Sequence, residues 1–199
     1  MRPVDHEKRR KRILEEALAL FAKNGYQATT LTEIADASRC PRTMLYRYFT
    51  SKREIFHYTV TLLTKELAAK YADIEEAPGT CFEKLQRVMD YVVESIFKHR
   101  VELSVILDYV LAANRSGRSP SRTIARHTYG LRSLLHRLIL RGILRGEIRP
   151  VPVGIAVNLL YAQIEAAILR LTVTDSADHP AITASIREIL SGMRALEAT

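Results

Sequence analysis

A short stretch near the N-terminus, residues 42–48 with the sequence RTMLYRY, carries the side chains best suited to chemistry on a partner. The guanidinium of Arg42 can donate two hydrogen bonds to O6 and N7 of guanine, or bind a phosphate. Thr43 offers a hydroxyl and a methyl group that suit bases including thymine, while Tyr46 can donate to a phosphate and Arg47 lies beside it. The major groove of B-DNA admits such a helix. The stretch therefore predicts recognition of DNA bases and phosphates.

The elements that must position this stretch are all predicted to be helices. No segment shows the sustained alternation of a half-buried strand, so the predicted fold class is all-α. We predict a basic amphipathic helix at about 5–24, a short helix that starts at a capping box on Thr30, and a third helix at 41–49. Two short helices after a basic amphipathic one form a helix-turn-helix arrangement. Leu45 and Phe49 are its predicted core residues.

Residues 29–56, TTLTEIADASRCPRTMLYRYFTSKREIF, resemble the DNA-binding segment of the TetR family of bacterial transcription regulators. The preceding ILEEALALFAKNGY resembles that family's first helix. Several features in register make this similarity stronger than any single motif. The resemblance implies that Tyr46 and Lys52 contact phosphates, and that Thr29 and Thr30 flank the DNA backbone at the start of the second helix.

The turn between the second and third helices departs from the family pattern. Family members usually carry Gly there, followed by Val and a small residue, whereas this chain has Arg39, Cys40 and Pro41. Cys40 can replace Val as a small buried residue, and Pro41 is compatible with a helix start. A positive φ disfavours a residue with a Cβ atom. Either the turn differs in shape, or Arg39 tolerates mild strain while it contacts a phosphate.

The charge distribution points to an anionic partner at the N-terminal end. The chain has 199 residues and a net charge of +8, and residues 1–53 hold 12 basic against 6 acidic residues. The run KRRKR at 8–12 can add non-specific attraction to phosphates or reach a minor groove. The alternative is a disordered, solvated arm.

From residue 51 onward the sequence predicts about six helices, at 51–71, 80–98, 101–114, 119–146, 152–174 and 179–197. The resemblance implies a helix-turn-helix domain at 1–53 and a helical ligand-binding and dimerisation domain at 54–199. Bulky apolar residues with a few polar groups suit a pocket for a hydrophobic effector. The candidate pocket residues are Tyr58, Leu62, Met89, Phe97, Leu107, Tyr109 and His127. Side chains at this spacing also form ordinary protein core, which is the alternative for each.

An arginine-rich segment suits a different effector. Nine arginines and one acid lie within residues 115–149, and the arginines at 137, 141, 145 and 149 form a stripe along a predicted helix. Such a stripe is commonly a solvated face. It also suits an anionic partner, such as a carboxylate, an acyl-CoA or a second negative surface.

The last two predicted helices carry features suited to pairing with a second subunit. Ala162 and Ala166 are four residues apart, which permits close approach of two helices, and residues 182–196 carry an apolar stripe. Two such helices per subunit build a four-helix interface by two-fold symmetry. The residues predicted at this interface are Ala162, Ala166, Ile186, Ile189 and Met193. The alternative is that both stripes are buried inside one subunit.

Other classes of function find little support in the sequence. It lacks a Gly-rich phosphate loop and the GxSxG and HExxH motifs, so no enzyme is predicted. Two distant cysteines indicate neither a disulfide framework nor a metal site, and no cofactor is expected. Polar residues interrupt the most apolar stretch, 154–173, and the N-terminus lacks the apolar core of a signal peptide. We therefore expect a cytoplasmic protein with no membrane partner.

These patterns together predict a homodimeric, sequence-specific transcription regulator. The leading hypothesis is a repressor that a small hydrophobic or anionic effector releases from a palindromic operator in double-stranded DNA. The alternatives are an activator and a ligand-independent architectural DNA-binding protein. Weak, uniform DNA affinity with a steep salt dependence would favour the architectural protein.

Overall fold

The computed structural model describes residues 3–117, 122–174 and 176–195. Within them the only β-pairing is an isolated bridge between Ile148 and Arg194, so the predicted all-α fold class is confirmed. The helices are α1 (Pro3–Asn24), α2 (Leu31–Ala37), α3 (Arg42–Tyr48), α4 (Lys52–Glu76), α5 (Cys81–Lys98), α6 (Arg100–Arg115), α7 (Arg122–Leu144), α8 (Val153–Leu169) and α9 (His179–Ser191). A π-helical turn at Arg170–Thr174 follows α8.

The helix starts follow local signals in the sequence. The Thr30 hydroxyl accepts the N–H of Glu33 at 3.2 Å, and the Glu33 carboxylate accepts the N–H of Thr30 at 2.7 Å, which confirms the predicted capping box. Thr80 and Glu83 form the same box at the start of α5. Each box satisfies two N–H groups that have no partner inside the helix.

The six helices predicted after residue 50 are present, with some different ends. Helix α4 continues to Glu76, beyond the predicted end at 71, because the first strong break is at Gly79 with φ +121°. Helix α9 ends at Ser191 instead of 197. The predicted start of the seventh helix, at 119, lies outside the described residues.

The chain forms two compact units. Unit 1 comes from segments 1–64 and 101–125, and unit 2 comes from segments 65–100 and 126–199. The predicted domain boundary after residue 53 lies inside unit 1. The reason is that α6 contributes Val105 and Tyr109 to the same apolar core as α1 to α4.

Aromatic side chains fill the centre of the unit 1 core. The ring of Tyr109 stacks on Phe56 with centroids 4.1 Å apart and meets Tyr26 edge-on at 5.0 Å. The Tyr26 ring also contacts Phe21 at 5.3 Å. Each such pair is worth about 0.5–1.5 kcal/mol beyond the area that it buries, so this cluster firmly connects α6 to α1 and α4.

Helix α5 is the central helix of unit 2, where it packs against α8 and α9. Its buried face includes Leu85, Val88 and Met89, each 0% exposed. Fully burying side chains of this size stabilises a fold by about 1.5–3 kcal/mol each.

Helix α8 and its π-helical turn, Val153–Thr174, are long and apolar enough to cross a membrane by length and composition alone. The polar residues that interrupt the apolar run in the sequence do not take this stretch below these limits of length and composition. Apolar helices of soluble proteins satisfy the same two criteria, so the finding is weak evidence for a span. One side of α8 is not covered by the described part of the chain. On this side Ile155 is 67% exposed and Leu169 is 54% exposed.

Candidate nucleic-acid interface

The turn between α2 and α3 has a left-handed backbone in spite of its arginine. Arg39 has φ +50° and is the only non-glycine residue with a positive φ among the described residues. Its N–H donates to the carbonyl of Asp36 at 3.1 Å, and the N–H of Cys40 donates to that of Ala35 at 2.9 Å. Arg39 therefore tolerates a strained backbone, which was one of the two alternatives for this turn. The left-handed conformation costs a residue with a Cβ atom about 1 kcal/mol or more. Cys40 is buried, as predicted.

Helix α3 presents a polar face above a buried one. Leu45 and Phe49 are both 0% exposed, which confirms them as core residues. The polar face consists of four exposed residues, Arg42, Thr43, Tyr46 and Arg47. No side-chain hydrogen bond or ion pair engages these four residues within the part of the chain that the structure describes. They are therefore available to a ligand.

The basic run of α1 is helical, which contradicts the disordered-arm alternative. Arg9 donates to the sulfur of Met44 on α3 at 2.8 Å. The guanidinium of Arg10 lies 3.9 Å from the ring centroid of Tyr58 and 5.3 Å from that of Phe49. Arg9 therefore contacts α3 directly, and Arg10 links Tyr58 of α4 to Phe49 at the end of α3, because a guanidinium over an aromatic face is attracted by the ring quadrupole.

The two threonines at the start of α2 differ in accessibility. Thr29 is 1% exposed, and its hydroxyl donates to the carbonyl of Gly25 at 2.9 Å. This placement contradicts a DNA contact by the Thr29 side chain, because the hydroxyl is buried and already bonded. Thr30 is exposed at the N-terminus of α2, and its place beside the DNA backbone stays a prediction.

Lys52 is used inside unit 1. Its ammonium donates to the carbonyls of Tyr26, Gln27 and Thr29 at 2.6, 2.9 and 2.8 Å. An ammonium has three donors, so a DNA phosphate would have to compete with these carbonyls. Burial lowers the pKa of Lys52, and the charge of nearby Glu33 partly offsets that effect. The resemblance marked Lys52 as functional, but its binding partner in this structure is the protein itself.

Comparisons with known proteins agree with this geometry. The family model described as "Bacterial regulatory proteins, tetR family" matches residues 13–59. The transcriptional repressor KstR2 of Mycobacterium tuberculosis is 30% identical over 154 residues, which cover 77% of this chain and 74% of that protein. The chain belongs to the TetR family. The regulator YhgD of Bacillus subtilis is 26% identical over 142 residues, covering 71% and 73% of the two chains.

Solved structures extend the likeness over most of the TetR-family chain. The structure of KstR2 from Mycobacterium tuberculosis has a TM-score of 0.76 at 22% identity, covering 94% of this chain and 96% of that one. PfmR of Thermus thermophilus has a TM-score of 0.74 at 27% identity, covering 94% and 99%. As a member of the TetR family, the protein is a DNA-binding transcriptional regulator and not an enzyme.

The residues predicted for an effector pocket fall in both units of this TetR-family protein. In unit 1, Tyr109 stacks on Phe56, and Tyr58 lies beneath a guanidinium of α1. Leu107 is half-buried, and Leu62 is 49% exposed. Each of the two tyrosines therefore has a structural role. This agrees with the alternative in which they belong to the protein core and do not line an effector pocket.

The three candidates in unit 2 occupy different surroundings. Met89 is fully buried, and Phe97 packs against His179 with ring centroids 4.9 Å apart. The imidazole of His127 stacks on Tyr71 at 6.0 Å. Burial lowers the pKa of His127, so the neutral imidazole is favoured near pH 7.

A small cavity of about 10 Å³ lies between α1, α4 and α6 inside unit 1. It has room for about one water molecule. Its walls are Leu18, Phe21, Phe56, Thr59, Val60, Leu63, Glu102, Val105 and Ile106. None of the predicted pocket residues lines this cavity, and their role in effector binding stays a prediction.

The arginine stripe of α7 is engaged inside unit 2. The carboxylate of Glu75, on α4, accepts hydrogen bonds from Arg137 at 3.1 and 2.6 Å and from Arg141 at 3.3 Å. The hydrogen bonds from Arg137 hold the pKa of Glu75 below its usual value. Glu75 gave no signal in the sequence, because its partners lie about 60 positions away.

The remaining two arginines of the stripe also have partners. Arg145 contacts the sulfur of Cys81 at 3.8 Å, and Arg149 donates to the carbonyl of Gly192. Among the described residues only one carboxylate, that of Glu75, serves the four arginines, so binding of an anionic effector to the stripe stays a prediction.

The predicted dimer residues divide between buried and accessible positions. Ile186 and Met193 are 2% and 5% exposed, because α9 buries this face within unit 2. This placement contradicts their assignment to an interface with a second subunit. Ile189 is half-buried, Ala166 is half-buried and Ala162 is exposed. The accessible apolar face therefore lies on α8.

Proposed function

We propose that the protein is a homodimeric repressor that binds a palindromic operator and is released from it by a small hydrophobic effector. The observation that carries the proposal is the outer face of α3, where four exposed polar side chains stand over fully buried Leu45. A polar helix face of this kind, anchored by a buried leucine, fits the major groove. The similarity to KstR2, a transcriptional repressor, supports repression as the mode of regulation.

Each exposed side chain of α3 has a proposed role on DNA. Arg42 and Thr43, in the first turn of the helix, read base edges. Tyr46 and Arg47 bind phosphates and so fix the position of α3 on the duplex. Arg39 extends this surface from the turn and adds a further phosphate contact.

A second copy of the chain is the proposed partner of α8. Ile155, Leu159, Ala162, Ala166 and Leu169 follow the spacing i, i+4, i+7, i+11 and i+14, which places them on one helix face. Leu159, Ala162, Ala166 and Leu169 are placed symmetrically about position 164. In an antiparallel, two-fold pair Ala162 meets the partner's Ala166, and Leu159 meets the partner's Leu169. The alanines at the centre allow close approach of the two helices.

A charge placed in this face tests the dimer. We expect Leu159→Glu to weaken dimerisation at least about a hundredfold, because an unpaired buried carboxylate costs several kcal/mol. Operator binding should weaken with it, because a monomer contacts one half-site. The matched control is Leu144→Glu on α7, which changes a 78% exposed leucine outside the face. Sedimentation equilibrium measures the effect, and a Leu159→Glu protein that remains dimeric would refute this interface.

Release by an effector requires that the ligand prefers one conformation of the protein. The ligand must stabilise an arrangement in which the two α3 helices no longer match both half-sites. The aromatic group of Tyr71, Tyr91 and His127 in unit 2 is the proposed contact surface, with ring centroids 6.0 Å apart in two of its pairs. Neutral imidazole and phenol groups suit a hydrophobic ligand that has a few hydrogen-bonding atoms.

Selection of bound sequences from random double-stranded DNA tests the function as a whole. At near-physiological salt we expect a palindrome with half-sites about one helical turn, roughly 34 Å, apart. The selected operator then serves to test repression in transcription assays, and to screen apolar compounds for release. Absence of enrichment, with binding that disappears as salt rises, would favour an architectural DNA-binding protein.

A further inference from the structure

The segment that connects α1 to α2, residues 25–29, is held by two charged side chains from distant parts of unit 1. From α4, Lys52 donates to three of its carbonyls, including that of Tyr26 at 2.6 Å. From α6, a carboxylate oxygen of Asp108 accepts the N–H of Tyr26 at 2.8 Å. The carbonyl of Tyr26 is therefore bound by an ammonium cation, and its N–H is bound by a carboxylate anion.

The side chain of Tyr26 reinforces this attachment. It is 7% exposed, and its ring contacts Phe56 at 5.4 Å and Tyr109 at 5.0 Å. The ammonium of Lys52 lies 4.7 Å from the ring centroid. Tyr109 immediately follows Asp108 on α6, so one turn of α6 holds both the backbone and the ring of Tyr26.

The position of this segment determines where α2 begins. Thr30, the N-cap of α2, directly follows it, and α2 leads through a single tight turn into α3. A shift of the segment would therefore shift the helix that carries the DNA-binding side chains. Side-chain positions at a binding site must be kept within about 0.5 Å for full effect, so a small shift is sufficient.

We propose that Asp108 is a positioning residue for DNA recognition, which acts through its hydrogen bond with the Tyr26 amide. The inference rests on the proposed function, because it requires an operator. Asp108 lies outside residues 13–59, the part of the chain that the family model matches. No sequence motif singles it out.

The charge of Asp108 provides a way to separate positioning from electrostatics. Asp108 is an exposed acid in the unit that carries the basic DNA-binding face. By charge alone, its removal would strengthen binding to phosphates. If the carboxylate positions the α1–α2 connection, its removal weakens binding. The two explanations therefore predict effects of opposite sign.

The experiment compares three variants of the full-length protein on the selected operator. We expect Asp108→Ala to lower operator affinity about tenfold, since a hydrogen bond to a charged group is stronger than a neutral one and this one is partly screened by solvent. Asp108→Asn retains an oxygen that accepts the Tyr26 N–H, and its affinity should equal or exceed that of the wild type. Asp73→Ala, which removes an exposed carboxylate from α4, serves as the charge-matched control and should bind as the wild type does.

Hydrogen exchange at the Tyr26 amide reports the contact independently of DNA. Exchange should accelerate in Asp108→Ala and stay near the wild-type rate in Asp108→Asn. Faster exchange combined with wild-type or tighter operator binding in Asp108→Ala would overturn the proposal. If the Ala variant does not fold, Asp108→Glu replaces it, because the longer side chain keeps the charge and displaces the acceptor. Because Asp108→Glu and the wild type carry the same charge, Glu must bind more weakly than the wild type, and equal or tighter binding also overturns the proposal.

Failure of the proposed function gives a different result. In that case the wild-type protein itself selects no operator, and the role of Asp108 in recognition falls with it. Exchange at the Tyr26 amide would still be faster in Asp108→Ala than in Asp108→Asn, because the hydrogen bond within unit 1 does not depend on DNA.

Discussion

The arginines of α3 and those of α7 look alike in sequence but have different surroundings in the structure. Arg42 and Arg47 are exposed, and no side chain binds them in the part of the chain that the structure describes. Arg137 and Arg141 are also largely exposed, at 43% and 52%, yet both bind the carboxylate of Glu75. A basic helix face is therefore open to an external anion where no acid from another helix reaches it, and less so where one does.

The geometry explains why the α7 arginines are poor candidates for a further anion. Arg137 uses two nitrogen atoms on the two oxygens of Glu75, the paired arrangement that makes arginine–carboxylate hydrogen bonds strong and directional. An incoming anion would have to displace that carboxylate, which is itself half-buried. Among the described residues, the α3 arginines have no such carboxylate partner to lose.

The largest predicted effect follows directly from this difference. We expect Arg42→Ala/Arg47→Ala to lower operator affinity at least about a hundredfold, since a base or phosphate contact is worth about 1–3 kcal/mol and a dimer loses each contact twice. The matched double variant Arg137→Ala/Arg141→Ala removes the same charge from α7 and should change affinity less than about threefold. Fluorescence anisotropy at several salt concentrations measures both. Equal losses in the two double variants would invalidate the comparison.

A smaller effect concerns stability and its dependence on pH. The hydrogen bonds from Arg137 hold the pKa of Glu75 below its usual value of 4.5. Because the folded state releases this proton more readily than the unfolded state does, the ionised carboxylate stabilises the fold above that value. The contribution is lost as pH falls through the lowered pKa. Solvent screening limits it to about 1 kcal/mol.

The variant Glu75→Gln isolates this contribution. At pH 7 it should be about 1 kcal/mol less stable than the wild type in urea unfolding, and the difference should shrink towards pH 3. Operator affinity should stay close to that of the wild type. A stability difference that is the same at pH 7 and pH 3 would show that ionised Glu75 is not the source.

The sequence was most informative where structure depends on neighbours along the chain. The capping box at Thr30, the buried positions Leu45 and Phe49, and the altered turn at Arg39 were all readable within short windows. Each reflects a local cause: a free N–H group, a helical period, or a Cβ atom at a positive φ. The order of the helices and the core of the helix-turn-helix arrangement were therefore predictable, whereas the shape of the turn at Arg39 was left open between two alternatives.

Contacts between distant segments were not predictable in the same way. An apolar stripe on α9 does not show whether α5 or a second subunit covers it, and Ile186 and Met193 proved to be buried within the chain. The donors of Lys52 were expected to bind phosphate, but three carbonyls occupy them. In both cases residue type was the correct signal, and the partner was decided by packing.

The smallest predicted effect concerns Arg39, which lies in the turn and belongs neither to the α3 arginines nor to the α7 arginines. Its side chain is exposed and its backbone is strained. Glycine adopts φ +50° without a Cβ clash, so Arg39→Gly should raise the free energy of unfolding by about 0.5–1 kcal/mol, after allowance for the greater freedom of glycine in the unfolded chain. Loss of the guanidinium should lower operator affinity a few-fold and reduce the salt dependence by about one phosphate contact per subunit.

Arg39→Ala is the control, because it loses the guanidinium and keeps the Cβ atom, so it should bind as weakly without the gain in stability. Urea unfolding and operator titrations on the two variants separate the backbone from the side chain. A stabilised Arg39→Gly with unchanged affinity would leave α3 alone as the DNA-binding surface.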